Sequence, residues 1–282
     1  MKELPIGFID SGFGGLTVVK QSIHQLPNES IIYIGDSARA PYGPRSKSEV
    51  RKYIWQLTNF LREKGIKMLV IACNTGTAAA LEEIRASLAI PVVGVIHAGS
   101  RAALKNTQNH HIGIIGTEGT IRSELYERVL IEKSASTQVF SHAAPEFVRI
   151  VEEERIEEDQ TKEIVSETLA YFDDKEIDTL ILGCTHYPHL KKQIQDYVGP
   201  SVKLIDSGVE TINEVSALLD YFNLSRSSID TELSKPTHEI YTTGKPGKFG
   251  EFSRRWLGQP EIFVKPAYIK GEVIVENLNS QP

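Results

Sequence analysis

Cysteine is scarce in this 282-residue chain, which has only Cys73 and Cys184. Two distant cysteines cannot build a disulfide framework, so free thiols are expected. Long apolar runs are also missing. None approaches the roughly 18 residues that a membrane helix needs, and the stretch after Met1 is broken by Asp10 with no small-residue cleavage site. No membrane partner is expected, and the location expected is cytoplasmic. There is no basic excess either: 31 Lys and Arg stand against 37 Asp and Glu, a net charge of −6. That sign does not suit binding to phosphate backbones by counterion release, so nucleic acid is not expected as the main partner. With 40% hydrophobic and 24% charged residues, the composition excludes a disordered tail, a collagen and a coiled coil. At roughly 150 residues per domain, the length suggests about two domains.

What the chain does have is alternation. Short apolar runs at 6–10, 31–35, 68–73, 92–96, 112–116, 180–184 and 202–206 are each followed by turn residues. Between them lie stretches with helical spacing, such as 49–64, where Val50, Tyr53, Ile54, Leu57, Phe60 and Leu61 form one face, and 164–172. This pattern predicts an α/β fold with mainly parallel sheets. Ligands of such sheets bind beyond the carboxyl ends of the strands, which directs attention to the residues just after each run.

The chain also resembles itself. Residues 66–75, ending Ala72-Cys73-Asn74-Thr75, align without a gap on 177–186, ending Gly183-Cys184-Thr185-His186. Upstream, 6–12 resembles 112–118, and a further strand follows each cysteine at similar distance, at 92–96 and 202–206. We therefore expect two similar domains related by a pseudo-twofold axis, with a site in the cleft between them. The first copy ends near His97, and a helix at 98–109 leads into the second. The tail after Asp206, with a helix at 209–221, a polar loop at 225–236 and strands near 239–242 and 262–264, has no counterpart in the first copy. The expected division is 1–97 plus 207–282 for a discontinuous first domain, and 98–206 for the second.

Both cysteines stand at a strand end directly before a helix. Thr75 suits the N-cap of a helix at 76–87, and Pro188 suits the first position of a helix reaching about Tyr197. A lone cysteine most often serves as a small buried hydrophobe. Two at equivalent positions of a repeat point instead to chemistry. At a helix N-terminus a thiol meets unpaired N–H groups and the positive end of the dipole, which lower its pKa. Placed on opposite sides of one cleft, two thiols can invert a carbon that bears an acidic hydrogen, one taking the proton and the other delivering a proton to the far face.

Polar residues cluster at the same strand ends. Asp10 and Ser11 close the first run, and the turn Gly12-Phe13-Gly14-Gly15 allows backbone to approach a ligand closely. It is not the G-x-G-x-x-G of a dinucleotide site. Asp10 reads equally as a helix cap or an acid–base group, and His186 equally as a packed side chain or a proton carrier. Glu152 begins the acidic run 152–154, whose members mostly suit a solvated helix face. His189 reads as helical surface, and His110 and His111 as a loop before a strand.

Taken together, Asp10-Ser11-Gly12-Phe13-Gly14-Gly15-Leu16-Thr17-Val18, Pro41-Tyr42-Gly43, Ala72-Cys73-Asn74-Thr75, Gly183-Cys184-Thr185-His186-Tyr187-Pro188 and Tyr241-Thr242-Thr243-Gly244 resemble the glutamate racemases. The resemblance spans essentially the whole chain, with five separated motifs in the family order. It implies a cofactor-independent racemase without pyridoxal phosphate or metal, acting on glutamate and supplying D-glutamate for peptidoglycan. It also implies Cys73 and Cys184 as the acid–base thiols, Asp10 assisting the first, and His186 with Glu152 near the second. Asp10, Ser11, Tyr42, Gly43, Asn74, Thr75, Thr117, Thr185 and His186 are implied to bind the substrate. Where the family carries Cys-Pro and later Pro-Leu-Val-Glu-Glu, this chain has Ala144-Pro145 and Arg149-Ile150-Val151-Glu152.

Three other readings compete with this one. The related aspartate racemases share the two-cysteine logic, but their second motif typically ends Cys-Thr-Glu, where this chain has His186. A metal hydrolase could use Cys184, His186 and His189, a reading that leaves Cys73 without a role. A non-catalytic amino-acid binding protein would show no turnover. The sequence leaves homodimer formation open.

Overall fold

The computed structural model describes residues 1–226 and 235–276. The first stretch runs β1 (Ile6–Asp10), α1 (Leu16–Gln25), β2 (Ile31–Gly35), α2 (Lys47–Lys64), β3 (Met68–Ile71), α3 (Asn74–Ser87), β4 (Val92–Gly94) and α4 (Val95–Asn106). The second runs β5 (His111–Gly116), α5 (Glu118–Arg122), α6 (Leu125–Lys133), β6 (Gln138–Ala143), α7 (Pro145–Glu152), α8 (Asp159–Leu169), β7 (Thr179–Gly183), α9 (Lys191–Val198), β8 (Lys203–Asp206) and α10 (Ser207–Tyr221). The remainder holds β9 (His238–Thr242), α11 (Pro246–Leu257), β10 (Val264–Pro266), β11 (Tyr268–Lys270) and β12 (Val273–Val275).

Two parallel sheets result. The first has the order β10-β9-β2-β1-β3-β4 and the second β6-β5-β7-β8, while β11 and β12 form a small antiparallel pair. The four strands β2-β1-β3-β4 repeat as β6-β5-β7-β8, so Ile71 lies beside Ile9 as Leu182 lies beside Ile115. Strands buried on both faces explain the continuous apolar runs. Phe8, Met68 and Val70 face one core of the first sheet, and Ile9, Leu69 and Ile71 face the other. In the second sheet Leu180 and Leu182 face one core, and Ile181 the other. After the second sheet the chain returns. Ile212, Val215 and Leu219 of α10 pack into the first sheet's core, and β9 pairs in parallel with β2.

Several element ends differ from expectation. The run 68–73 stops as strand at Ile71, and Cys73, not Thr75, caps α3, its Sγ accepting from Gly76 N–H at 3.3 Å. The run 92–96 is strand only to Gly94. Val95 and Ile96 already belong to α4, where their apolar side chains face the core as a helical stripe. Pro188 lies in a 3₁₀ turn, Tyr187–Leu190, that precedes α9. His111 opens β5 and is not loop. Most of the polar loop expected at 225–236 lies outside the described residues.

At the end of the first sheet away from the strand carboxyl ends sits an ion pair that the pattern did not reveal. Lys67 is fully buried just before β3, ion-paired with the buried Glu29, and its Nζ donates to the carbonyls of Lys2 at 2.7 Å and Leu224 at 2.9 Å. Glu29 in turn accepts from the Arg226 backbone N–H at 2.8 Å. Removing one partner of such a pair leaves a buried charge uncompensated and costs about 3–5 kcal/mol. Lys67→Met is therefore expected to lower the urea-unfolding free energy by about 3 kcal/mol or more, and adding Glu29→Leu to recover part of the loss. A single-variant loss below about 1 kcal/mol would show that the pair is not what secures this corner.

Candidate active site

The carboxyl ends of the two sheets face one cavity. Ser11 follows β1, Cys73, Asn74 and Thr75 follow β3, Thr117 follows β5, and Cys184, Thr185 and His186 follow β7. All of these line the cavity, together with Tyr42, Gly43 and Glu152. Asp10 alone among the expected residues does not. It lies fully buried behind the wall, Oδ2 accepting from Gly12 N–H at 3.2 Å and Gly15 N–H at 3.0 Å, with Oδ1 unpartnered. Ala40, Pro41 and Val148 complete the lining; Pro41 belongs to the motif Pro41-Tyr42-Gly43 but was not given a role, and Ala40 and Val148 were not singled out from sequence. Alongside it is a wider vestibule of about 740 Å³, bordered by Pro44, Glu118, Pro145 and Arg149.

The halves meet closely around the cavity. The turn after β1 runs against the strand end of β7, so that a Cβ on Gly14 would lie 2.2 Å from Thr185 Oγ1 and 2.6 Å from His186 Nδ1. Only glycine fits there. Thr17 Oγ1 donates to the Thr185 carbonyl at 3.1 Å, Thr75 Oγ1 lies 2.7 Å from Thr117 Oγ1, and the Tyr126 hydroxyl donates to Asn74 Oδ1 at 2.8 Å.

A buried carboxylate missed by sequence reading holds Tyr42. Asp36 accepts from the Tyr42 hydroxyl, from Arg39 Nε at 2.7 Å and from Thr243 Oγ1 at 2.6 Å. Its signal was present, because Asp36 directly follows the run 31–35. Its partner Thr243 comes from the far end of the chain, in the motif 241–244, and no local spacing joins it to Asp36.

The two thiols sit in different electrostatic surroundings. Burial, then the Asp10 carboxylate, pushes Cys73 well above the usual thiol value, against hydrogen bonds from Gly76 N–H and the Ser11 side chain. The expectation of a lowered pKa from the α3 N-terminus is corrected here: burial with an acid alongside outweighs the dipole. Asp10 itself is raised by burial, opposed by the charge of His186 and by backbone donors. Cys184 Sγ stands 3.7 Å from His186 Nδ1, and His186 Nε2 stands 3.0 Å from Glu152 Oε1. Burial alone would lower the His186 pKa, yet Cys184 and Glu152 overcome it and push it up to about 10. At neutral pH this imidazole is therefore a cation.

Glu152, at the end of α7, reaches His186 even though its flanking residues differ from the family pattern. His189 is not free helical surface. Its ring lies 3.9 Å from that of Trp256, and burial, with the charge of His186 close by, drives its pKa down to about 4. Among the described residues no group of three His, Cys, Asp or Glu side chains could hold a metal ion, so Cys184, His186 and His189 do not form a ligand set.

Comparison with known proteins agrees with this geometry. The Asp/Glu/hydantoin racemase family pattern matches residues 7–215. The glutamate racemase of Carnobacterium sp. (strain St2) is 53% identical over 265 residues, covering 94% of this chain and 98% of that protein. A crystal structure of a glutamate racemase isoform from Bacillus anthracis, 41% identical, superposes with a TM-score of 0.90 over 97% of this chain and all (100%) of its own. A second, from Francisella tularensis subsp. tularensis SCHU S4 in complex with D-glutamate, is 36% identical with a TM-score of 0.87, covering 96% and 98% of the two chains. With paired strand-end cysteines in a repeated α/β framework and similarity along nearly its full length, the chain belongs to the Asp/Glu/hydantoin racemase family, among its glutamate racemases.

Proposed function

We propose that the protein interconverts L- and D-glutamate, Cys73 and Cys184 exchanging protons with opposite faces of the α-carbon. The observation that carries this reading is the pair of cysteines at equivalent strand ends lining one cavity. In the direction from L-glutamate, Cys184 as thiolate takes the α-proton, and the Cys73 thiol gives its proton to the other face. Cys184 ends as thiol and Cys73 as thiolate, which is the starting state for the reverse direction. The surroundings suit these roles. A thiol held protonated by burial and Asp10 is a ready donor, and on the other wall the cationic His186 stands beside Cys184.

Asp10 takes up or returns the Cys73 proton, while Glu152 keeps His186 cationic and oriented. Ser11, Tyr42, Gly43, Asn74, Thr75, Thr117 and Thr185 hold the substrate's carboxylates and ammonium through hydroxyls, amides and backbone N–H groups. Among the described residues the cavity wall carries no Lys or Arg, so these neutral dipoles and His186 bear the anionic charge. No pyridoxal phosphate or metal is needed in this scheme. The product would serve cytoplasmic peptidoglycan synthesis. We also propose that 1–97 with 207–282 and 98–206 act as the two domains flanking the site.

Incubation with L-glutamate in deuterated water is expected to racemise the substrate and place deuterium at its α-carbon, with full activity after chelation. Because enantiomers have an equilibrium constant of one in water, any variant must lose kcat/KM equally in both directions. Cys73→Ala and Cys184→Ala are each expected to lower racemisation by at least about 10²-fold. With a glutamate analogue bearing a leaving group at C3, Cys184→Ala should eliminate only from the D form and Cys73→Ala only from the L form. Loss of the same enantiomer in both variants would refute the two-base scheme.

The histidines set the pH dependence of stability. Between the ordinary 6.5 and about 10, folded His186 keeps a proton that the unfolded chain has released, so stability falls as pH rises through that window. Between 6.5 and about 4, folded His189 refuses a proton that the unfolded chain takes up, so stability falls as pH drops. Urea midpoints should therefore peak near neutrality, with His186→Asn flattening the alkaline limb and His189→Asn the acid limb. Parallel limbs in parent and variants would show that these two groups do not govern the profile.

A further inference from the structure

Asn74 opens α3 one residue after Cys73 and is almost fully buried. Its Oδ1 accepts from the Tyr126 hydroxyl at 2.8 Å, whereas its Nδ2 is buried with no partner. A carboxamide is nearly symmetric in shape but not in chemistry, since a half-turn exchanges a donor for an acceptor. A fixed neighbour must decide which end faces the cavity.

Tyr126 has the properties of that neighbour. It is buried on α6, in the other half of the chain from Asn74, with its ring edge against Gly183, where a Cβ would stand 3.3 Å from Tyr126 Cε2. Burial raises the phenol's pKa, with a hydrogen bond from Ser207 acting the other way and the negative groups Asp206 and Cys184 adding to the rise. The hydroxyl therefore keeps its single proton, and that proton goes to Oδ1.

We infer that Tyr126 is a positioning residue for the racemase site: its hydroxyl fixes the Asn74 carboxamide so that Nδ2–H, and not Oδ1, meets a carboxylate oxygen of the substrate. The inference rests on the proposed placement of Asn74 against glutamate. Without the hydroxyl the carboxamide is free to turn, and conformers with its oxygen toward the substrate's negative charge are no longer excluded. Because the contact is the same in the bound ground state and in the transition state, its loss belongs in KM more than in kcat.

The test is a double-mutant cycle between Tyr126→Phe, which keeps the ring and removes only the hydroxyl, and Asn74→Ala, with thermal midpoints recorded for every variant. Tyr126→Phe is expected to lower kcat/KM for both enantiomers by about three- to tenfold, mainly through KM, the range that one net hydrogen bond supports. In the Asn74→Ala background the same change should alter kcat/KM by less than about twofold, since no carboxamide remains to orient. An equal loss in both backgrounds would overturn the inference, because the hydroxyl would then act through packing. A near-parental Asn74→Ala would overturn the placement of Asn74 and the inference with it. Asn74→Asp supplies an independent check that leaves Tyr126 intact. Presenting a carboxylate oxygen where Nδ2–H stood, it should fall below Asn74→Ala in kcat/KM, and a value at or above Asn74→Ala would overturn the inference.

Discussion

The close seating of two sheet ends against each other is the constraint on which the site depends. Parallel strands deliver their loops to one edge, and here two such edges are pressed together until only backbone fits between them. Gly14 marks the tightest point, with Thr185 and His186 inside the volume that any side chain would occupy. The hydroxyl pair Thr75–Thr117 and the Tyr126–Asn74 bond close within the same seam. Each of these contacts joins one half of the chain to the other. The cavity is thus what remains when two copies of one unit are docked by their loops.

Repetition makes the two cysteines equivalent in position, but their neighbours make them unlike. Asp10, behind Cys73, is a buried acid held by backbone donors. His186, beside Cys184, is a buried base kept cationic by Cys184 and Glu152 together. One thiol therefore has an acid for a partner and the other a base. For a substrate whose two forms are mirror images the thiols exchange roles with direction, so each wall must both give and take a proton, and the two walls do so with unlike neighbours. The duplicated framework supplies the symmetry of approach, and the side chains at the end of β1 and after β7 supply the polarity.

Much of this was legible in the residues, for physical reasons that also explain the misses. Strands β1, β3, β5 and β7 are buried on both faces and so show as unbroken apolar runs whose repeated endings expose the duplication. Apolar continuity could not show where β4 becomes α4, because Val95 and Ile96 are buried in either conformation. Strand β6 escaped notice because Gln138 and Ser141 break its hydrophobicity at a sheet edge. Glu152 was accessible only through family resemblance, since its acidic run looks like any solvated helix face. Asp36 and Tyr126 act through partners remote in sequence, and no local spacing joins Asp36 to Thr243 or Tyr126 to Asn74. The Cys73 pKa was misjudged because a helix start can be read from sequence, whereas the burial and the acid that oppose it emerge only from the fold.

The return of the chain to its first sheet has a consequence for synthesis. Strand β2 pairs on one side with β1, close in sequence, and on the other with β9, which joins Ile31 to His238. A ribosome releases β2 long before β9 exists, and by then the second sheet, contiguous from 111 to 206, has been released in full. For that interval Ile31-Ile32-Tyr33-Ile34-Gly35, five residues that end fully buried, present a bare row of N–H and C=O groups at a sheet edge. Such an edge invites pairing with another nascent chain. The late strand therefore acts as a built-in cover whose arrival time, set by translation, governs how long the emerging protein is exposed to self-association.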